Sequence, residues 1–158
     1  MCVWLDYGPG YLHDGTEFTL SHVYIGRLIG ISSRDLLTRY DVKKRKYIGN
    51  TTFDAELSLV TANMTLASRG KLVYDPFVGT GSFLLTCAEF GAYTLGSDID
   101  GRQMRGKGDR DIPANVKQYG LEGKVLGGLT FDLVHHPWRR GEIFDAIVTD
   151  RMWFSLVW

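Results

Sequence analysis

The sequence has few cysteines, no net charge and no long apolar run. Its 158 residues carry 18 Lys and Arg against 18 Asp and Glu, so the overall charge points to neither nucleic acid nor a membrane surface. The two cysteines, Cys2 and Cys87, form no disulfide framework or metal-ligand spacing, which is typical of reduced intracellular thiols. No apolar stretch approaches the roughly 20 residues of a membrane-spanning helix, and the N-terminus lacks the basic start of a signal peptide. We therefore expect a cytoplasmic protein with one core and no membrane partner.

The first part of the chain, residues 1–44, is predicted to be a β-rich segment followed by a basic linker. Turn signals at Gly8-Pro9-Gly10 separate two predicted strands, Trp4–Tyr7 and Phe18–Ile25. The stretch Arg39–Tyr47 combines five basic residues with two tyrosines. It has two interpretations: contact with RNA phosphates and bases, or a solvated linker.

A helix is predicted to begin at Thr51, with Asp54 as the acid of a capping box. Gly70 is predicted to end this helix. Its predicted buried face consists of four apolar residues at helical spacing, Leu57, Val60, Met64 and Ala67.

Strands and helices alternate after Gly70, which predicts a parallel α/β sheet. Helices are predicted at Ser82–Phe90, near Arg102 and around Ala114–Tyr119. The four predicted strands are Lys71–Tyr74, Tyr93–Ser97, Lys124–Phe131 and Phe144–Thr149.

Each of these four strands is followed by an aspartate. Ligands of open α/β sheets bind beyond the carboxyl ends of the strands. The sequence therefore predicts one crevice with a carboxylate rim formed by Asp75, Asp98, Asp132 and Asp150.

The loop after the first of these strands, "DPFVGTG", is rich in glycine. Gly79 and Gly81 allow the backbone to approach a ligand closely, and the next helix presents free N–H groups suited to an anion. A dinucleotide site would need a third small residue, where this sequence has Leu84. The stretch "DPFVGTGSF" instead resembles motif I of the class I S-adenosylmethionine-dependent methyltransferases, in which the anion is the methionine carboxylate.

Two further acids fit a cofactor that contains a nucleoside. Asp98 lies about 20 residues beyond the Gly-rich loop, where an acid binds ribose hydroxyls, and Asp100 is a competitor for that role. A carboxylate accepts two hydroxyl donors well. Asp132 has two interpretations: an acceptor for the adenine amino group, or a surface loop acid.

Residues Arg45 to Gly108 closely resemble the eukaryotic tRNA (guanine-N2-)-methyltransferases that act on guanosine 10. The matching motifs are the helix start Thr51–Glu56, the loop "DPFVGTG" and "GSDIDGRQMRGKG", in that order. The resemblance implies a Rossmann-like methyltransferase domain over residues 45–150, with about four of the usual seven strands. It implies S-adenosylmethionine as donor, tRNA as substrate, a preceding RNA-binding THUMP domain that this chain lacks, and a small zinc-containing activator subunit.

The resemblance also assigns roles to the candidate site residues. Asp75, Gly79 and Gly81 match the methionine-binding loop, and Thr51 matches the helix start that faces the cofactor carboxylate. Asp98 matches the ribose acid and Asp132 the adenine-side acid. Asp150 matches the first residue of the catalytic Asp-Pro-Pro-Tyr motif.

The sequence departs from that motif directly after Asp150. Arg151-Met152-Trp153 stands in place of Pro-Pro-Tyr, and residues 151–158 form a divergent apolar tail. We therefore expect a C-terminally truncated and catalytically impaired fragment. The alternatives are a non-catalytic fragment that binds cofactor or partner, and a methyltransferase acting on adenine in nucleic acid. The adjacent His135-His136 is interpreted as a loop feature rather than a metal site.

Overall fold

The computed structural model describes residues 1–7, 20–50 and 52–150. The predictions for Thr51 and for the tail 151–158 lie outside these residues. The chain divides into two compact units, Met1–Arg34 and a second unit that begins at Asp35. The sequence placed this boundary ten residues later, at residue 45.

The first unit contains an antiparallel strand pair. Strand β1 (Cys2–Asp6) pairs with strand β2 (His22–Gly26), and Trp4 lies opposite Tyr24. Both strands contain β-branched and aromatic residues, which favour extended backbone.

The second unit has a four-stranded parallel sheet with helices, as the alternating pattern predicted. The strands are β3 (Leu72–Asp75), β4 (Tyr93–Asp98), β5 (Val125–Thr130) and β6 (Ala146–Ile147). The helices are α1 (Asp35–Arg39), α2 (Ala55–Met64), α3 (Ser82–Glu89), α4 (Gly101–Arg105) and α5 (Ile112–Tyr119). Two short 3-10 turns occur at Val42–Lys44 and Leu133–His135. None of the helices in the described ranges is long and apolar enough to cross a membrane.

The strand order is β5-β4-β3-β6, and every pair is parallel. The chain moves from β3 to β4 and β5 on one side and then returns to place β6 on the other side. The order therefore reverses between β3 and β6, and such a switch point opens a crevice at the carboxyl ends of the strands.

Helix α2 presents a different face to the core from the one predicted. Its buried residues are Ala55, Ser58, Leu59 and Ala62, whereas Leu57, Val60 and Met64 are exposed. The small residues allow α2 to lie close to α3, where the Ser58 and Thr86 hydroxyls form a buried 2.9 Å hydrogen bond. The prediction was wrong because it followed the largest apolar residues and not the small ones.

The ends of α2 also differ from the prediction. Asp54 is the N-cap, and its carboxylate accepts from the backbone N–H groups of Glu56 and Leu57. Asp54 is therefore the cap itself and not the N3 acid. The helix ends at Met64, before Gly70, and Leu66 follows with a φ of +55°.

Residues 39–47 belong to the folded unit and are not a solvated linker. Tyr40 is fully buried, stacks on Tyr119 at 4.5 Å and donates its hydroxyl to Glu89 at 2.6 Å. The buried side-chain amide of Asn115 bonds both the N–H and the C=O of Tyr47, each at 2.8 Å. Helix α5 thereby fixes the path of this segment toward α2.

Candidate active site

The sheet brings the four predicted acids to one edge. Asp75 and Asp98 are the last residues of β3 and β4, while Asp132 follows β5 and Asp150 follows β6. Because all four strands are parallel, their carboxyl ends lie along the same side. The acids therefore form the rim that the sequence predicted.

Asp75 is the buried acid of this rim, at 1% exposure. Its Oδ1 accepts from the Phe77 N–H at 3.0 Å. Burial raises the pKa of Asp75 to about 7, and the charges of Asp98 and Asp150 add to this rise. Near neutral pH this carboxyl can therefore hold or release a proton.

The Gly-rich loop turns sharply between β3 and α3. Gly79 and Gly81 have φ values of +48° and +84°, a region that side chains disfavour. Val78 anchors the loop through its N–H, which donates to the Ser97 carbonyl at 2.9 Å. Gly96 of β4 lies directly beneath Val78, where a Cβ would meet the Val78 Cβ at 2.7 Å. The close packing of loop on sheet thus depends on glycines in both.

Asp98 is bonded to the Gly-rich loop. Its Oδ2 accepts from the Gly79 N–H and its Oδ1 from the Asp100 N–H, both at 2.9 Å. Each carboxylate oxygen has a second lone pair free to accept, so a ribose diol fits this group. Asp100 instead accepts two hydrogen bonds from the Arg102 guanidinium and caps α4. The hydrogen bond from Arg102 lowers the pKa of Asp100 to about 2. Asp98 therefore keeps more of its acceptor capacity free than Asp100 does.

Asp132 lies at the start of the 3-10 turn after β5. Its carboxylate accepts from the Val134 N–H at 3.0 Å and contacts His135 Nδ1 at 3.1 Å. The hydrogen bond from the Val134 N–H, and to a lesser extent that from His135, lowers the pKa of Asp132. His135 is thus paired with Asp132, and within the described ranges no three His, Cys, Asp or Glu residues group closely enough to hold a metal.

Asp150 is exposed and lies beyond β6, the neighbour of β3. Asp75 and Asp150 therefore lie on the two sides of the topological switch point, and the negative charge of Asp150 contributes to the raised pKa of Asp75. The residues predicted to complete the catalytic motif, including Trp153, lie outside the described ranges.

The segment before α2 reaches the Gly-rich loop. The Thr52 hydroxyl lies 3.2 Å from that of Thr80, and it accepts from the Gly49 N–H at 2.8 Å. Gly49 itself packs on Thr80, where a Cβ would come within 2.8 Å of the methyl group. Thr51 is not described, but its neighbours hold this segment beside the predicted methionine-binding loop.

The sequence did not single out Arg45, which is 5% exposed. Its Nη1 donates to the Ser82 hydroxyl at the first residue of α3, at 2.8 Å. Its Nε and Nη2 have no hydrogen-bond partner within the described part of the chain, and burial lowers the pKa of the guanidinium. The basic run around Arg45 concealed this role, because composition alone does not separate a buried arginine from exposed lysines.

A cluster of aromatic residues was also missed. Trp138 contacts Tyr74, Phe131 and Phe144 edge to face at 5.2 to 5.6 Å, and Tyr74 stacks on Phe144 at 4.5 Å. The Tyr74 hydroxyl bonds Ser97 at 2.5 Å. The sequence predicted a loop or a short helix around Trp138, and Trp138 packs beside β3 from a loop.

The parallel sheet, the Gly-rich turn and the acidic edge define a Rossmann-like α/β fold. The fold matches a crystal structure described as an RNA methyltransferase from Pyrococcus horikoshii, with a TM-score of 0.56 and 15% identity over 78% of this chain and 62% of that chain. No family model matches the sequence.

The curated proteins with similar sequences share one description. The chain is 59% identical over 128 residues to the tRNA (guanine(10)-N(2))-methyltransferase of Schizosaccharomyces pombe, 46% identical over 133 residues to that of Saccharomyces cerevisiae, and 45% identical over 141 residues to that of Homo sapiens. These matches cover 81% to 84% of this chain. The chain is similar to these proteins over most of its own length, and it spans only 27% to 31% of theirs.

Proposed function

We propose that this chain carries the cofactor half of an enzyme that methylates the exocyclic amine of guanine 10 in tRNA. The observation that carries the proposal is the 59% identity to the Schizosaccharomyces pombe protein of that name. The tRNA substrate, the reaction and the partners come from that likeness.

The residues at the sheet edge fit S-adenosylmethionine. The N–H groups at the start of α3 suit a carboxylate, and the resemblance assigns Thr51 to the same carboxylate. Asp98 would bind the ribose diol, and Asp132 would accept from the adenine amino group. The bound cofactor would supply a methyl group on a positively charged sulfur.

Asp150 would act on the acceptor base. The guanine amine is a poor nucleophile because its lone pair is delocalised into the ring. The Asp150 carboxylate would accept a hydrogen bond from the amine and orient it, once the base leaves its helix stack. Alignment of the reacting atoms supplies much of the acceleration, and fixed dipoles supply more.

We take the partners of the proposed enzyme from its likeness to these relatives. They are tRNA and a small zinc-containing activator subunit, and no membrane is involved. The enzyme would work in the cytoplasm.

The change from Pro-Pro-Tyr to Arg151-Met152-Trp153 favours a catalytically impaired chain. The two prolines would fix the backbone carbonyl that shares the amine with Asp150. A chain that binds the cofactor without transferring its methyl group is therefore the second candidate function.

Replacement of Asp98 tests cofactor binding. We expect Asp98→Asn to weaken S-adenosylmethionine binding about 10- to 100-fold, since a hydrogen bond to a charged group contributes roughly 1.5 to 3 kcal/mol. Isothermal titration calorimetry on the full 158-residue chain measures this. Asp109→Asn, at an exposed acid outside the sheet edge, is the matched control and should bind normally.

A wild-type chain that fails to bind the cofactor would contradict the proposal. Incubation with unmodified tRNA and nucleoside analysis of the product then separates the candidates. N2-methylguanosine indicates the proposed enzyme, N6-methyladenosine an adenine methyltransferase, and cofactor binding without product the impaired chain.

A further inference from the structure

We propose that a basic pocket beside the cofactor edge binds the phosphodiester backbone of the RNA substrate. The pocket has a volume of about 470 Å³, and its lining includes Tyr47, Arg102, Lys107 and Arg110. This inference rests on the proposed function, because it assigns part of the RNA to a surface of the methyltransferase domain itself.

A tight turn places two of the cations together. Lys107 and Arg110 form a backbone bridge, with N–H to C=O distances of 3.0 and 3.2 Å. Gly106 makes the turn possible, since its φ is +57° and a Cβ there would collide with the Arg110 carbonyl. The two side chains are therefore held by a fixed backbone and not by a flexible loop.

These two cations lack anionic partners, unlike their neighbours. Arg102 pairs with Asp100 at 2.8 Å, and Lys46 pairs with Asp109 at 3.4 Å. Within the described ranges neither Lys107 nor Arg110 lies within 4.0 Å of a carboxylate oxygen. The lining thus carries a net charge of about +2 in a chain of zero net charge.

Tyr47 forms a rigid aromatic wall of the pocket. Its hydroxyl donates to the Gln103 carbonyl at 2.5 Å, and its backbone is held by Asn115. An aromatic ring next to cations is the arrangement that binds single-stranded nucleic acid.

The pocket is connected to the cofactor edge through the loop after β4. Asp100 lines the pocket, and its N–H bonds the carboxylate of Asp98. RNA held here would therefore run beside the crevice into which the acceptor base must enter.

The size and chemistry favour an RNA backbone over a free anion. A volume of about 470 Å³ lies in the usual range of pockets for whole small molecules, and it exceeds what one phosphate ion needs. Lys and Arg contacts to phosphates supply the sequence-independent part of nucleic-acid binding, and they release counterions.

Fluorescence anisotropy with a labelled, unmodified tRNA transcript tests the inference. We expect Lys107→Ala and Arg110→Ala each to weaken binding by roughly fivefold, and the double variant by roughly 25-fold, near 0.1 M salt. Each should lower the slope of log K against log salt by about 1. Lys107→Arg should bind as the wild type does. Lys117→Ala, an exposed cation of α5 outside the pocket, is the control.

Several results would overturn the inference. These are no tRNA binding by the wild-type chain, equal losses in the control, or displacement of the tRNA by millimolar inorganic phosphate or by polyglutamate as readily as by unlabelled RNA. Cofactor binding by the same variants should stay unchanged. If pocket-dependent tRNA binding occurs without methyl transfer, the inference holds and the proposed reaction fails.

Discussion

Asp75 is a carboxyl group buried at the centre of the sheet edge without a cationic partner in the described ranges. Such burial disfavours the charged form, and the cost falls on the folded state. A positively charged ligand at this edge would offset that cost. The residue thus links the stability of the empty domain to the occupancy of its site.

Asp75 should make the chain less stable as pH rises. The pKa is about 7 in the folded state and 3.8 unperturbed, so the unfolded chain loses its proton first. Stability from this group is complete below pH 4, falls between pH 4 and 7, and stays low above. Asp75→Asn should therefore raise the free energy of unfolding by roughly 2 to 4 kcal/mol at pH 8, and by little at pH 4. Urea unfolding at both pH values measures this.

The exposed Asp109→Asn serves as the control, because a surface acid contributes little at either pH. Equal stability of the Asp75→Asn variant and the wild-type chain at pH 8 would show that Asp75 is not a buried, strained acid.

At the scale of elements, the site depends on how the Gly-rich loop lies on β4. Gly96 leaves room for Val78, and Val78 in turn positions the turn that carries Gly79. The Asp98 carboxylate completes this contact from the end of the same strand. The strand and the loop are therefore packed so closely that one added methyl group at Gly96 would disturb their contact.

Gly96→Ala should displace the loop. The added Cβ would overlap the Val78 side chain, and overpacking of this kind costs about 1 to 3 kcal/mol. We expect a lower Tm and weaker S-adenosylmethionine binding, measured by thermal unfolding and calorimetry. The second change Val78→Ala should restore part of both, because it removes the two Cγ atoms, one of which is the nearest, and leaves only the Cβ contact.

The control is Gly26→Ala in β2, where a Cβ would meet nothing within 4 Å. If Gly96→Ala unfolds and binds like this control, then the contact with Val78 does not position the loop.

The sequence predicted the elements around the site better than the helix before it. Apolar strands that end at an aspartate and loops that contain glycine follow local backbone requirements, which a sequence shows directly. Asp75, Asp98 and Gly81 accordingly lie where they were expected. Helix α2 packs through Ser58 and Ala62, whose small size matters only because α3 is close. That proximity is a property of the tertiary structure and leaves no periodic signal.

The burial of Arg45 in the candidate site likewise depends on tertiary contacts that the sequence does not reveal. Arg45 belongs to a basic run whose exposed members suggest RNA. Its burial follows from the positions of Ser82 and Tyr119, which are distant in the sequence. The roles of Asp98, Asp132 and Asp150 stay predictions until ligand binding is measured.

At the scale of the whole molecule, the sheet has two outer strands. Within the described ranges β5 and β6 each pair on one side only, and Leu126, Leu129 and Ile147 are exposed. Unpaired edges with apolar side chains favour association.

We therefore expect the isolated chain to self-associate as its concentration rises, measured by light scattering after size exclusion. Ile147→Lys should reduce this association, because an edge charge opposes strand pairing. Val60→Lys, an exposed change on α2 away from the sheet, should leave it unaltered. A monomer at all concentrations with reversible, cooperative unfolding would contradict the expectation.

The side-chain amide of Asn115 bonds the N–H and the C=O of Tyr47 as a neighbouring strand would. Gln118, one turn further along the helix, does the same for the Lys46 N–H and the Lys44 C=O, each at 2.7 Å. Both side chains bond only backbone groups, so these hydrogen bonds do not depend on which residues stand at positions 44, 46 and 47. Mutational tolerance should therefore be asymmetric, with wide freedom at positions 44 and 46 and little at positions 115 and 118.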